Sequence, residues 1–206
     1  MSPSHRYNIP AGIHRFEEDI QRSRFITTLA PAATVEEATA FTAAMRTEFP
    51  DATHNCWAYL VGPPGSSIHI GMSDDGEPHG TAGRPMLQVL THSKLGDISA
   101  VVTRYYGGTK LGKGGLVRAY SGGIQKALAD CPLTEKVTYR DLVVTVPYTH
   151  VSTTQQCAGR HRVLIDNEEY TTEARFSLKV PEDELTGFRD ELTQLTAACA
   201  YFQEED

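Results

Sequence analysis

No apolar run in this 206-residue chain approaches the roughly 20 residues that a membrane-spanning helix requires. No C-x-x-C pair is present either. Cys56, Cys131, Cys157 and Cys199 stand far apart and outside any zinc-site spacing, so reduced, isolated thiols are expected rather than a metal knuckle or a disulfide framework. The first residues, MSPSHRYNIP, lack the basic and then apolar succession of a secretory signal, and a cytoplasmic protein is expected. Long internal repeats and low-complexity tracts are missing too. What remains, 40% hydrophobic and 22% charged residues, is the composition of a soluble globular protein, long for one domain and suited to two.

A local absence is more informative. The formal charge of −7 argues against generic binding of polyanions, yet residues 1–136 hold 13 basic and 13 acidic side chains whereas 137–206 hold 6 and 13. Between Ile98 and Ala129 there is no Asp or Glu, while Arg104, Lys110, Lys113, Arg118 and Lys126 are all present. This is a basic patch on an acidic protein.

Hydrophobic periodicity organises the rest. Residues 15–29, RFEEDIQRSRFITTL, read as two strands around a turn. TVEEATAFTAAMRTEF opens with Thr34 and Glu37 in capping-box spacing and repeats Phe41, Met45 and Phe49 every four residues, which predicts a helix ended by Pro50. NCWAYLV and SIHIGM flank GPPGS as a hairpin, with Asn55, Trp57 and Tyr59 on one face and His54, Cys56 and Ala58 on the other. The aperiodic SDDGEPHGTAG leads to a short helix at PMLQVLTH, and the β-branched DISAVVTRYY predicts a buried strand. A glycine-rich stretch then precedes the helix LVRAYSGGIQKALAD. From residue 138 the order becomes strand, helix, strand, strand, helix from Pro181, strand, which is the βαββαβ pattern of a ferredoxin-like fold. Two domains are expected, 1–136 and 137–206.

Three groups of residues are candidates for chemistry. GGTKLGKGG satisfies seven of the eight P-loop positions, but Gly114 stands where Ser or Thr would hold Mg²⁺, which argues against triphosphate hydrolysis. Gly107, Gly108, Gly112, Gly114 and Gly115 with Lys110 and Lys113 are expected either to cradle a phosphate with backbone N–H groups or simply to turn the chain and pack a helix on a sheet. Asp74, Asp75, Glu77 and His79 gather three carboxylates and an imidazole, a candidate for divalent-cation or acid/base work, although Asp75-Gly76 is equally a turn dipeptide. Gly80, Thr81, Gly83 and Arg84 offer a second anion cradle. Cys56 is a weaker candidate nucleophile, its nearby His54 and Asn55 notwithstanding, because catalytic cysteines usually find their His far away in sequence.

Taken together, THNCWAY (53–59), SDDGEPHGTAGRPML (73–87) and VVTRYYGGTKLGKGGLVRAY (101–120), with SRFI at 23–26, resemble the YigZ/IMPACT family over nearly the whole chain. The resemblance implies an α+β fold, with an N-terminal domain like domain 2 of ribosomal protein S5 and a C-terminal ferredoxin-like domain like those of elongation factor G. Eukaryotic IMPACT relatives regulate translation through a protein scaffold with help from an RWD domain, which the short segment before Arg22 does not accommodate.

These readings give a leading expectation: a cytoplasmic protein that binds RNA or the ribosome and modulates translation. Arg84, Arg104, Lys110, Lys113, Arg118 and the loop amides would contact phosphates, with no cofactor and no membrane. The acidic C-terminal domain would repel wrong polyanions or meet a basic protein partner. The alternatives are a metal-assisted hydrolase built on Asp74, Asp75, Glu77 and His79, and a protein-interaction module with architectural glycines. The relative placement of residues 73–84 and 107–115 discriminates among them.

Overall fold

The computed structural model describes residues 6–65 and 69–204. The chain divides into two compact units between Lys136 and Val137.

The first unit is built on a five-stranded antiparallel sheet of β2 (His14–Ile20), β3 (Ser23–Pro31), β4 (His54–Val61), β5 (His69–Ser73) and β6 (Ile98–Tyr105), in the order β2-β3-β6-β4-β5. Its three helices are α1 (Val35–Glu48), α2 (Gly83–His92) and α3 (Gly112–Ala129), and β1 (Arg6–Pro10) pairs with β7 (Leu133–Val137) in a separate ribbon. Ser66, Ser67 and Ile68, which belong to the expected GPPGS turn and SIHIGM strand, lie outside the described residues, as do residues 1–5 of the N-terminal segment.

Alternation along the strands decides which helix covers which face. Cys56, Ala58 and Leu60 of β4 and Ala100 and Val102 of β6 meet Met86 and Leu90 of α2 and Leu116, Tyr120 and Ile124 of α3 in one core. Trp57 and Tyr59 point the other way, half-buried and stacked with ring centroids 5.7 Å apart. Helix α1 lies against β4 and β6, and its buried Ala38, Thr42 and Met45 stand apart from the α2–α3 core. Its start follows the capping logic: Thr34 Oγ1 accepts from the Glu37 N–H at 3.1 Å, and the Glu37 carboxylate reaches back to the Ala33 N–H at 2.7 Å.

Helix α3 begins earlier than its apolar periodicity predicts. Gly112, Lys113, Gly114 and Gly115 are its first turn rather than a loop, and Gly108 and Gly112 alone of the five motif glycines have positive φ, +83° and +72°. Glycine at 107 has a different cause. A Cβ there would lie 1.8 Å from the carbonyl oxygen of Arg22, so the β2–β3 turn fits only against a residue without a side chain.

The second unit contains β8 (Tyr139–Val146), a 3-10 turn at Tyr148–His150, α4 (Val151–Arg160), β9 (Leu164–Tyr170), β10 (Ala174–Pro181), α5 (Leu185–Leu195) and β11 (Tyr201–Glu204). The sheet order β11-β8-β10-β9, antiparallel throughout, is the ferredoxin-like βαββαβ arrangement. Phe176 and Leu178 from the sheet and Phe188 and Leu192 from α5 centre its core. Pro181 is not the first residue of α5, as its sequence context suggests. It ends β10 opposite Tyr139, a turn returns the Glu184 N–H to the Pro181 carbonyl, and the helix starts at Leu185. Among the described residues no helix is long and apolar enough to cross a membrane.

Candidate functional site

The two loops singled out in the sequence face each other across one cleft. The segment between β5 and α2 supplies Glu77 and Pro78, the segment from β6 into α3 supplies Tyr106, Lys110 and Lys113, and His54 and Arg104 project from the ends of β4 and β6. The space they enclose is about 510 Å³, the size of a small-ligand site.

Its floor is a buried polar network. The Glu77 carboxylate accepts from Arg104 Nη1 at 2.5 Å and from the Tyr120 hydroxyl at 2.8 Å, and Arg104 Nη2 donates to Ser23 Oγ at 3.3 Å. Arg104 is only 5% exposed and Glu77 only 8%, so the pair is held where water screens it little. The guanidinium also lies 5.4 Å from the ring centroids of both Phe25 and Tyr106, while its buried Nε has no hydrogen-bond partner among the described residues. Arg104 is therefore not the free phosphate-binding cation its residue type suggests: most of its charge is answered by Glu77.

Beneath this network Cys56 Sγ donates to the Asp74 carbonyl at 2.9 Å and sits 3.4 Å from the Tyr120 hydroxyl. Burial pushes its thiol up to about 12, with the nearby Glu77, Asp75 and Asp74 adding to the effect and the Tyr120 contact opposing it. A thiol so protected is a core residue and not a nucleophile. Tyr120 is likewise driven far above the usual phenol range, by burial first and then by Cys56 and Glu77.

The other carboxylates hold the loop together. Asp74 accepts from the N–H groups of Gly80 at 2.8 Å, Ala82 at 3.0 Å and Gly83 at 2.9 Å, which ties the loop to the start of α2. Burial alone would raise its carboxyl, but these three bonds and nearby His79 outweigh it and hold it below the ordinary carboxylate range. Asp75 accepts from the Asn55 N–H and from Arg46, each at 2.7 Å, and His54 Nδ1 contacts the Asp75 carbonyl at 2.8 Å. His79 is fully exposed, its Nδ1 3.8 Å from Asp74. Asp74, Asp75, Glu77 and His79 thus diverge to different partners and do not converge on one point where a cation would sit.

Among the described residues, the group with three ligand atoms within 4.8 Å of one another is elsewhere, in Cys157, His161 and Glu191 of the second unit. There His161 stands between Glu184 at 2.9 Å and Glu191 at 2.6 Å, and Arg160 also binds Glu191 at 2.6 Å. These atoms already satisfy one another as an ion network joining α4 and α5.

The rim of the cleft has the opposite character. Lys110 and Lys113 are exposed and, among the described residues, make no ion pair. The first turn of α3 carries no acid, and Leu111 in the capping position has no side-chain acceptor to offer. Lys113 occupies a place where the helix dipole favours negative charge, so the site contains uncompensated positive potential from two sources. Gly112 lines the cleft, and Gly114 and Gly115 add no side chain to that helix end.

The remaining expected contacts lie elsewhere. Arg84 borders a second depression with Asp74 and His79, and Arg118 a third with Glu18 and Lys126. The aromatic member of the main cleft is Tyr106, which sequence reading does not single out because it follows a buried β-branched run as though it were one more strand residue.

Comparison with known proteins agrees with this division of the chain. Residues 21–128 match the Impact N-terminal domain, and residues 144–198 match a domain of unknown function, DUF1949. An IMPACT family member from Haemophilus influenzae is 43% identical over 197 residues, 96% of each chain. IMPACT family member YigZ from Escherichia coli is 40% identical over 188 residues, 91% of this chain and 92% of that one. YvyE from Bacillus subtilis, another IMPACT family member, is 38% identical over 90% of this chain and 84% of its own length. A crystal structure described as a hypothetical protein superimposes with a TM-score of 0.70 at 37% identity over 98% of both chains. The loops that build the cleft fall within the matched N-terminal domain, and the chain belongs to the IMPACT family.

Proposed function

We propose that this IMPACT-family protein binds the phosphate backbone of RNA, ribosomal RNA included, in the cytoplasm, and modulates translation through that contact. The observation that carries the reading is the start of α3, free of acids and of a side-chain cap, opening into a 510 Å³ cleft beside Lys110 and Lys113, which make no ion pair among the described residues. Free backbone N–H groups at the helix start, the helix dipole and two neighbouring ammonium groups suit an anion without any need for metal. The hydrolase reading has less support, since the carboxylates it requires are occupied by Arg104, Arg46 and backbone N–H groups.

Removing two phosphate contacts from a single-stranded complex lowers the salt slope, −d log K/d log[salt], by about 1.4. A Lys110→Ala/Lys113→Ala variant is therefore expected to bind RNA more weakly at low salt and with that shallower slope, as measured by fluorescence anisotropy over a salt series. Wild-type affinity and slope in the variant would refute the proposal.

A further inference from the structure

We infer that the cleft receives an unpaired nucleotide, its base stacked on Tyr106 and its phosphate at the start of α3. This rests on the phosphate-binding reading and adds a commitment about the base.

Tyr106 differs from the other aromatic residues around the sheet core. It is 45% exposed, whereas Phe25 and Tyr120 behind it are buried. Its position is fixed from two sides. The backbone N–H donates to Thr53 Oγ1 at 3.0 Å, and the ring rests near the Arg104 guanidinium, itself anchored by Glu77. An exposed ring on so rigid a support loses little freedom when a flat partner covers it. The Arg104–Glu77 pair stiffens the platform at no net charge, and Pro78, Leu111 and Leu116 give the cleft an apolar wall. A base needs that wall and ring, and its phosphate needs Lys110, Lys113 and the helix start.

Arg104 lines the same cleft, and Glu77 and Ser23 hold its guanidinium in place against the Tyr106 ring. Paired bases are stacked inside a duplex and cannot reach Tyr106, so the arrangement favours single strands. A free mononucleotide offers the same chemistry.

The test uses the full chain, a short unstructured RNA strand, the blunt duplex of the same strand, and uridine monophosphate, each titrated against wild type, Tyr106→Ala, Tyr106→Phe and Lys110→Ala/Lys113→Ala. Stacking one base contributes about 1–3 kcal/mol, so Tyr106→Ala is expected to weaken single-strand binding by about 5- to 140-fold with the salt slope unchanged. Tyr106→Phe should retain wild-type affinity, and Tyr106→Ala should leave duplex binding unaltered. Strand binding tighter than that of uridine monophosphate assigns the site to RNA, and equal affinity assigns it to the free nucleotide.

The outcomes separate the two proposals. If Tyr106→Ala binds the strand like wild type while the double lysine variant does not, stacking is wrong and phosphate binding stands. If wild type binds none of the probes, both fail. An equal loss in Tyr106→Ala and Tyr106→Phe also overturns the inference, because the phenylalanine ring stacks as well as the tyrosine ring.

Discussion

Arg104 and Glu77 lie 27 positions apart, and each alone invites a functional reading: a cation beside a glycine motif, a carboxylate in an acidic loop. Paired at 2.5 Å and almost fully buried, they instead form the floor on which the exposed groups stand. Breaking a buried pair by removing one partner typically costs about 3–5 kcal/mol, because the other charge is left uncompensated. Glu77→Ala should lower stability by an amount in that range, measured by urea unfolding, with a smaller loss for Glu77→Gln, which keeps an acceptor for Arg104 and Tyr120. Residue types alone mark the segments that meet at the cleft but not which of their side chains are paired there. Lys110 and Lys113 are exposed at the cleft, whereas Arg104 and Asp75 are taken up by partners that only tertiary structure brings near, and Asp74 by N–H groups of its own loop. Tyr106 went unnoticed for the reverse reason, since nothing local marks the residue at which a buried strand emerges.

At the scale of elements, α3 opens into the cleft at its start and packs on the sheet along its length, and its two adjacent mid-helix glycines stand in different surroundings. A Cβ at Gly123 would lie 2.7 Å from Thr27 Oγ1, while one at Gly122 would meet nothing within 4 Å. Alanine in place of an unencumbered helical glycine stabilises by on the order of 1 kcal/mol. Gly122→Ala is therefore expected to raise the melting temperature and Gly123→Ala to lower it, in parallel thermal unfolding scans. The sequence shows both glycines as equal costs to the helix, and only the strand facing Gly123 explains why that one is there. Helix α1 was legible to its cap because Thr34 and Glu37 act within one turn. The starts of α3 and α5 were misplaced for opposite reasons. Glycines in the first suggest a loop although the helix already begins at Gly112, itself at φ +72°, and Pro181 in the second resembles a first helical residue although the pairing of β10 with β8 extends through it.

The whole molecule combines an N-terminal unit of balanced charge with a C-terminal unit in which acids outnumber bases 13 to 6. The proposed association with RNA rests on where positive potential is exposed rather than on net charge, which at −7 opposes it. The order of the main-sheet strands and of the helices is readable from alternation, β-branched runs and helical spacing, whereas β1 and β7, short strands that pair only with each other, are marked by none of these. The meeting of residues 73–84 with 107–115 is not readable either, since it follows from the β2-β3-β6-β4-β5 order of the sheet, which places the ends of β4 and β6 side by side. That meeting is the basis of the functional account, and it is open to direct measurement. Backbone amide chemical shifts of the full-length, isotope-labelled protein, followed while a short single-stranded RNA is added, report which N–H groups meet the ligand. The account predicts that the largest changes fall at Glu77, Tyr106 and Lys110 to Gly115. Changes centred on residues 137–204, or none at RNA concentrations that saturate binding, would contradict it.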